Sequence, residues 1–352
     1  MYYVGWDLGG AHIKAALLNS SGVICKTFLV PCPLWKGLNH LSSAISYILN
    51  LLPDKDIYHA ITMTGELVDL FDNREQGVQE IIKTSKSLLL PDYTYFYAGH
   101  NGLIDDADLL TSIYTTIASA NWLASASYIA QKLDDAILID IGSTTTDIIV
   151  ISDGQIKSTA LSDYERLISQ ELVYTGIIRT PVMAITQSIM QKNKSINVVA
   201  EYFASMADVY RMTGELNEHT DHTETADGKA KTIAASARRL ARMIACDVET
   251  EELDTWHLFA KNIRHQQIQK ISASLDYCRN YYSLPYHYPL IGAGIGHFLI
   301  KEIANSKKIS YIDINSFFCF KQEFTEYSPS DIAPAAALSY LLKHKLETDN
   351  SD

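Results

Sequence analysis

Residues 137–151 read ILIDIGSTTTDIIVI, and residues 3–18 read YVGWDLGGAHIKAALL. Each is an apolar run ending in an acid, a glycine turn with small or hydroxylated residues, and a second apolar run, the pattern of two antiparallel strands joined by a turn. Asp7 falls on Asp140 and Gly9 on Gly142, both 133 positions apart. The first hairpin continues through NSSG into VICKTFLV, a third strand, and the second through SDG into QIKSTAL. The offset far exceeds the roughly 20–50-residue period of solenoids. It predicts two similar α/β domains in tandem, facing one cleft.

Between the hairpins, residues 108–132 place Ile113, Ile117, Ala124 and Tyr128 on one stripe, which predicts a single long helix with Asn121 on the same stripe. Helices are also expected over 229–247, where Ile233, Ala237, Leu240 and Ile244 align, and over much of 255–282. PLIGAGIGHFLIKEI (289–303) reads as strand, glycine turn and helix, and SPSDIAPAAALSYLLKHK (328–345) as a last helix capped by Ser330 or Asp331, with Pro334 in its first turn. The polar stretch 214–229 (GELNEHTDHTETADGK) reads as an exposed excursion. The expected division is a first domain over 1–135, joined by a returning C-terminal helix over 331–346, and a second over 136–330 with helical insertions.

Composition agrees with this scale. At roughly 150 residues per domain, 352 residues suggest about two domains. With 47% hydrophobic and 20% charged residues, the usage is that of a soluble globular protein rather than a disordered one. The formal net charge of −12, from 29 basic and 41 acidic side chains, opposes nonspecific attraction to nucleic acid or anionic membrane but leaves room for a local cationic pocket. Five scattered cysteines with no CxxC pair indicate neither a disulfide framework nor a zinc module, and fit a reducing compartment. MYYVGWDLGG lacks the features of a secretory signal, and no apolar stretch reaches about 18 residues, so the cytoplasm is the expected location.

The chemistry is concentrated in the glycine turns. Asp7-Leu8-Gly9-Gly10 with Lys14 offers an acid, backbone amides open to an anion, and a cation. Asp140 to Asp147 offers the same acid and Gly142, followed by the hydroxyls of Ser143, Thr144, Thr145 and Thr146 as phosphate donors. The two loops are expected to grip one polyphosphate. Asp7 and Asp140 are the expected holders of a hydrated Mg2+, an ion that takes one or two carboxylates plus phosphate oxygens. Gly292, Gly294 and Gly296 form GxGxG after a strand, which either meets phosphate or packs a helix on the sheet.

In this order the three glycine motifs resemble the two phosphate loops and the adenosine loop of the actin, hexokinase and Hsp70 fold class. The resemblance implies an α/β protein of tandem ribonuclease H-like (actin-like ATPase) domains around a central cleft. A closer resemblance lies in TMTGELVDLF (62–71), NREQGV (73–78), SANW (119–122), DIGSTTTDI (140–148), ELVYTGIIRTPV (171–182), MADVYRMTGEL (206–216) and TADGKAKTIAASARRLARMI (225–244). Together these are similar to the furan-methanamine synthases of methanofuran biosynthesis, hydantoinase/oxoprolinase-related proteins of tetrahydromethanopterin-linked one-carbon metabolism. The resemblance spans nearly the whole chain. It implies a transferase that joins a furanmethyl diphosphate to the phenol of a tyramine- or tyrosine-type glutamyl acceptor, forming an aryl ether and releasing pyrophosphate.

A phosphate-gripping cleft suits that reaction, because Mg2+, Lys14 and loop donors stabilise the leaving diphosphate. A phenol near pKa 10 is helped by a carboxylate base, for which Asp7, Glu66, Asp140 and Asp163 are candidates. On the acceptor side, Arg166 and Arg179 are expected to bind carboxylates, Tyr174 to stack on an aromatic ring, and Asn121, Trp122 and Asp163 to line the site. An interdomain salt bridge, a core tyrosine and a backbone carbonyl as partner for Asn121 are the plainer alternatives. Arg238, Arg239 and Arg242 read as a solvated face, and His219, Asp221 and His222 as part of a polar loop.

Two other readings stand beside the transferase. One is an ATP-dependent small-molecule kinase or hydantoinase/oxoprolinase-like hydrolase, with ATP as cofactor. The other is a non-catalytic nucleotide-binding protein. The expected partners are the diphosphate and the phenolic glutamyl acceptor, without nucleic acid or membrane, and a homodimer is left open.

Overall fold

The computed structural model describes residues 1–105, 111–321 and 325–349. The chain divides into two compact units, one formed by residues 1–138, 149–165 and 312–352 and the other by 139–148 and 166–311. Unit 1 thus takes in residues 149–165 and 312–330, which the sequence reading assigned to the second half.

Unit 1 starts with β1 (Tyr2–Leu8), β2 (His12–Asn19) and β3 (Ile24–Pro31), followed by α1 (Leu38–Leu49), β4 (Ile57–Met63), α2 (Arg74–Leu88), β5 (Thr94–Tyr97) and β6 (Leu103–Ile104). The strands lie in the order β3-β2-β1-β4-β5-β6. β1 runs antiparallel to β2 and parallel to β4, so it is a central strand and all but its first residue are buried. Its side chains Val4, Trp6 and Leu8 join Ile13, Ile45, Ile61 and Ile81 in a continuous core. That packing explains why YYVGWDL forms a strand: a run without polar alternation suits a strand covered on both faces.

The single helix expected over 108–132 is two helices, α3 (Tyr114–Ile117) and α4 (Asn121–Ala130), and residues 108–110 lie outside the described residues. The break comes where Ser119 adopts a left-handed backbone conformation (φ 50°), which no helix continues through. Asn121 therefore opens a helix instead of sitting on the middle of an apolar stripe.

The second sheet begins with the other hairpin, β7 (Ala136–Ile141) and β8 (Thr146–Ser152). The expected strand QIKSTAL is only β9 (Gln155–Ile156), and α5 (Asp163–Ile168) leads to β10 (Leu172–Val173). A separate hairpin, β11 (Ser188–Gln191) and β12 (Lys194–Asn197), precedes α6 (Met206–Thr213), α7 (Ile233–Arg242) and α8 (Leu253–Tyr281). β13 (Leu290–Ala293), α9 (His297–Lys307) and β14 (Tyr311–Asp313) complete the sheet, whose order is β10-β8-β7-β13-β14 with β9 beside β8.

The last helix, α10 (Ala333–Asp349), packs on β1, β2, β4 and α4. Its cap is Ser328 rather than Ser330 or Asp331. Ser328 and Asp331 bond reciprocally around a 3-10 turn over Pro329–Ile332 that feeds into the helix. Among the described residues no helix is long and apolar enough to cross a membrane.

Candidate active site

β1 and β4 end side by side, with Leu8 in register with Met63. The carboxyl ends of parallel strands are where open α/β sheets bind ligands, since loops diverge there. Asp7 lies one residue short of that end and is 3% exposed. Its hairpin register puts it opposite Lys14, whose Nζ stands 3.6 Å from Asp7 Oδ2. The turn between them closes with Gly9 N donating to His12 O at 3.0 Å. The loop after β4 is pinned to the same turn, because Thr64 N donates to Leu8 O at 3.1 Å.

That loop carries Glu66, which is 1% exposed. Ser119 Oγ donates to Glu66 Oε1 at 2.7 Å, while Oε2 is buried with no hydrogen-bond partner among the described residues. Burial pushes the Glu66 carboxyl above the ordinary carboxylate range, against the lowering influence of Ser119 and, more weakly, Arg74. The nearby Asp163 adds to the rise, and Asp163 itself stands 3.7 Å from Arg74 Nη2. A carboxylate with a raised pKa and one unsatisfied oxygen is a stronger base than an exposed carboxylate and has an oxygen with which to accept a proton.

Unit 1 thus gathers Asp7, Gly9, Gly10, Lys14, Glu66 and Asp163 around the ends of β1 and β4. Asn121 is bonded to backbone, but to an N–H rather than the expected carbonyl: its Oδ1 accepts from Trp122 N at 2.8 Å. Trp122 is 3% exposed, a buried side chain of α4. Sequence reasoning gave no role to Thr62 or Ser119. Thr62 pairs with Asp7 across β1 and β4, is fully buried, and has a hydroxyl without a hydrogen-bond partner among the described residues. Ser119 was legible only as the first letter of SANW, since its bond to Glu66 spans 53 positions.

In unit 2 the hydroxyl loop has its own support. Gly142 N donates to Thr145 O at 2.9 Å, and Ile177, Ile178 and Arg179 donate their backbone N–H groups to Gly142 O and Ser143 O. Thr146 is fully buried and gives its hydroxyl to Thr175 O at 2.7 Å, so it is not available to a phosphate. Ser143, Thr144 and Thr145 remain half-buried. Of the third cluster, Gly294 approaches Asp140: a Cβ there would lie 2.3 Å from Asp140 Oδ1, and its φ is +79°. Gly292 and Gly296 instead accommodate Tyr311 and Ile141, which is the packing alternative.

Arg166 is 1% exposed, with Nη1 bonded to Asp147 at 2.8 Å and Nη2 to Glu171 O at 3.2 Å. Its guanidinium holds the loop through a salt bridge within unit 2, rather than through the interdomain bridge of the plainer alternative. Arg179 and Tyr174 are both exposed, Tyr174 at 62%, which excludes a core role for that ring. Tyr202, at 42% exposure, lies within electrostatic reach of Arg179 and was not anticipated.

Two expectations about charge are corrected in part, although Arg238 is exposed and Arg242 half-buried, as on a solvated face. Arg239 is fully buried, bonded to Asp208 at 2.7 Å and Asp227 at 3.0 Å, rather than part of a solvated face. The expected excursion 214–229 is tied down, since Glu218 and the buried Asp221 pair with Arg211 at 2.8 and 2.7 Å. A buried arginine needs several acceptors, and the acids of that polar stretch supply them. Among the described residues no group of three or more His, Cys, Asp and Glu side chains is arranged to hold a metal. Asp7 and Asp140 each offer a carboxylate at a strand end, the donor type suited to Mg2+ that keeps its waters and phosphate ligands.

The hydantoinase/oxoprolinase family model matches residues 58–320. The chain belongs to the hydantoinase/oxoprolinase family. Within it, this family member is 30% identical over 308 residues to the (4-{4-[2-(gamma-L-glutamylamino)ethyl]phenoxymethyl}furan-2-yl)methanamine synthase of Methanocaldococcus jannaschii, covering 87% of this chain and 89% of that protein. A synthase of the same name from Methanococcus vannielii is 30% identical over 226 residues, covering 63% of this chain and 97% of that protein. The nucleotide-free structure of an acetone carboxylase superposes with a TM-score of 0.51 at 11% identity, over 84% of this chain and 66% of that one. The hydantoinase/oxoprolinase family chain has the expected actin-like ATPase fold.

Proposed function

We propose that this chain is the synthase that joins a furanmethyl diphosphate to the phenol of a γ-glutamyl tyramine- or tyrosine-type acceptor in methanofuran biosynthesis. The product named for its relatives contains that aryl ether, a phenoxymethyl bridge to a furan. The observation that carries the reading is Glu66: a buried carboxyl with one oxygen held by Ser119 and the other unbonded, pinned beside the turn that joins Asp7 to Lys14.

In the proposed step the phenolic oxygen forms a bond to the furan CH2 carbon as the bond from that carbon to diphosphate oxygen breaks. The phenol proton passes to Glu66, and pyrophosphate leaves with the electron pair. Lys14 and the amides of Gly9 and Gly10 answer the developing negative charge, as donors aimed at a leaving group should. The half-buried hydroxyls of Ser143, Thr144 and Thr145, with Gly142 and Gly294, form a second anion-binding loop. Asp7 or Asp140 would hold a Mg2+ ion, which when bound would supply Lewis-acid neutralisation of the diphosphate. Arg179 and Tyr174, both exposed, are the proposed contacts for acceptor carboxylate and ring, and Tyr202 lies within electrostatic reach of Arg179.

The test is the purified chain with furanmethyl diphosphate, acceptor and Mg2+, followed for ether and pyrophosphate. Equimolar appearance of both is expected, and Lys14→Ala should abolish diphosphate binding while the chain stays folded. Failure of an intact chain to form either product would sink the reading. The family and the acetone carboxylase fold support a second reading, an ATP-dependent kinase or hydrolase, for which ATP turnover stimulated by a small metabolite is the signature.

A further inference from the structure

At the opposite end of the same strands, β1 and β4 begin together, with Tyr2 in register with Ile57. There a cavity of about 340 Å3 opens between the end of α1, the start of β4 and the end of α2. Leu49, Leu52, Leu89, Leu90 and Tyr93 are among its walls, and His59 is the buried polar side chain on its lining, 6% exposed.

The protonation of that imidazole follows from its side-chain partner among the described residues. Trp6 Nε1 donates to His59 Nδ1 at 3.1 Å. An indole N–H only donates, so Nδ1 is the acceptor and the proton of the neutral ring sits on Nε2. Burial lowers the His59 pKa to about 4, so the ring is neutral across the physiological range. The bond from Trp6 is the side-chain hydrogen bond His59 makes among the described residues, which leaves the Nε2–H donor to the cavity. Water reaches that donor in the open cavity, so a ligand that displaces the water must offer an acceptor in its place. At the rim, Lys55 and Asp56 carry opposite charges, which favours neither an anion nor a cation.

We propose that this cavity binds a small, uncharged, mostly apolar molecule whose oxygen accepts a hydrogen bond from His59 Nε2. The volume falls in the range of ligand sites, about 300–1,000 Å3, and suits a one-ring molecule. The site is separate from the candidate active site, since His59 lies in the first half of β4 and Glu66 beyond its other end. It stands independently of the proposed reaction.

Trp6 provides the reporter, because its indole N–H is bonded to the ring that would bind the ligand. The full chain, labelled with nitrogen-15, is titrated with acetophenone and with ethylbenzene, which has a similar shape and no acceptor. The Trp6 indole resonance, assigned from a Trp6→Phe variant, should shift saturably, with acetophenone binding about fivefold more tightly than ethylbenzene. Leu52→Trp, which fills the cavity and spares the Trp6–His59 bond, should remove the shift. His59→Phe should erase the preference for the ketone. The proposal is overturned by a Trp6 resonance that does not saturate, by equal affinity for the two probes, or by binding that survives Leu52→Trp. The comparison of probes on the unaltered chain decides even if His59→Phe fails to fold.

Discussion

In the first hairpin Gly9 N donates to His12 O, and 133 positions later Gly142 N donates to Thr145 O, so the two turns close in the same way. Loop support is also repeated: Leu8 O accepts from Thr64 N, and Ile141 O accepts from Gly296 N. The charges differ. The position of Lys14 is Asp147 in the second hairpin. Lys14 faces Asp7 with its side chain 28% exposed, whereas Asp147 is held by Arg166, whose side chain is 2% exposed. The loop pinned to the first turn carries the buried Glu66, and the one pinned to the second carries glycines. One backbone solution therefore supports two chemistries: an acid–cation pair with a candidate base in unit 1, and a neutral hydroxyl loop locked from behind in unit 2.

If unit 1 holds the base, Glu66→Gln should have the largest effect, a loss of about 10²–10⁴ in turnover with little change in KM. The acid limb of the unaltered rate profile should lie above the ordinary carboxylate range, because burial raises the Glu66 pKa, and the limb should vanish in the variant. Stability gives an independent sign. A carboxyl whose folded pKa is raised favours folding when protonated, and that contribution is lost as pH rises through the folded pKa. Glu66→Gln should therefore raise the melting temperature at pH 8 and leave it nearly unchanged at pH 4. A variant that is equally active, or less stable at pH 8, breaks the assignment.

Arg166→Met tests whether the second hairpin is held rather than used. Removing one partner of a buried pair leaves an uncompensated charge, which costs about 3 kcal/mol. Denaturant titration should show that loss. Lys14→Met should cost less stability, because Lys14 stands 3.6 Å from Asp7 whereas Arg166 is bonded to Asp147 at 2.8 Å, and should weaken diphosphate binding far more. Equal stability losses for the two would erase the distinction between them.

The duplicated hairpin was legible because it is local: strand, acid, glycine and strand lie within 16 residues of each other in YVGWDLGGAHIKAALL. Glu66 was legible as a candidate for the same reason, following an apolar strand at a glycine. Its partner Ser119 was not, because 53 positions separate them and only the break in the helix brings the hydroxyl round. The arginines show the reverse error. Arg239 sits in a run that reads as solvated, yet its acids come from Asp208 and Asp227, outside its own helix. Charge patterning along one helix sees only neighbours three and four positions away.

Hydroxyls of the second loop separate into structural and available ones. Thr146→Val would leave Thr175 O without its donor in a buried place, a loss of about 1–2 kcal/mol. Diphosphate affinity should not change. Thr145→Val should do the opposite, sparing stability and weakening diphosphate binding. Isothermal titration alongside thermal melts distinguishes them, and a weakened affinity in Thr146→Val would return that hydroxyl to the anion loop.

The smallest effect sits at the most similar position of the two hairpins. A Cβ on Gly9 would lie 2.8 Å from His12 O, whereas one on Gly142 would lie 3.6 Å from Thr145 O, an ordinary contact. Neither glycine has a positive φ, so the backbone itself admits alanine at both. Gly9→Ala should therefore cost about 1 kcal/mol through the displaced carbonyl, while Gly142→Ala should be neutral or slightly stabilising because it restricts the unfolded chain. Paired urea titrations measure the difference. A reversed order would mean that the first turn is the more yielding of the two, and that the pinning of Thr64 to Leu8 does not hold Glu66 as rigidly as a base requires.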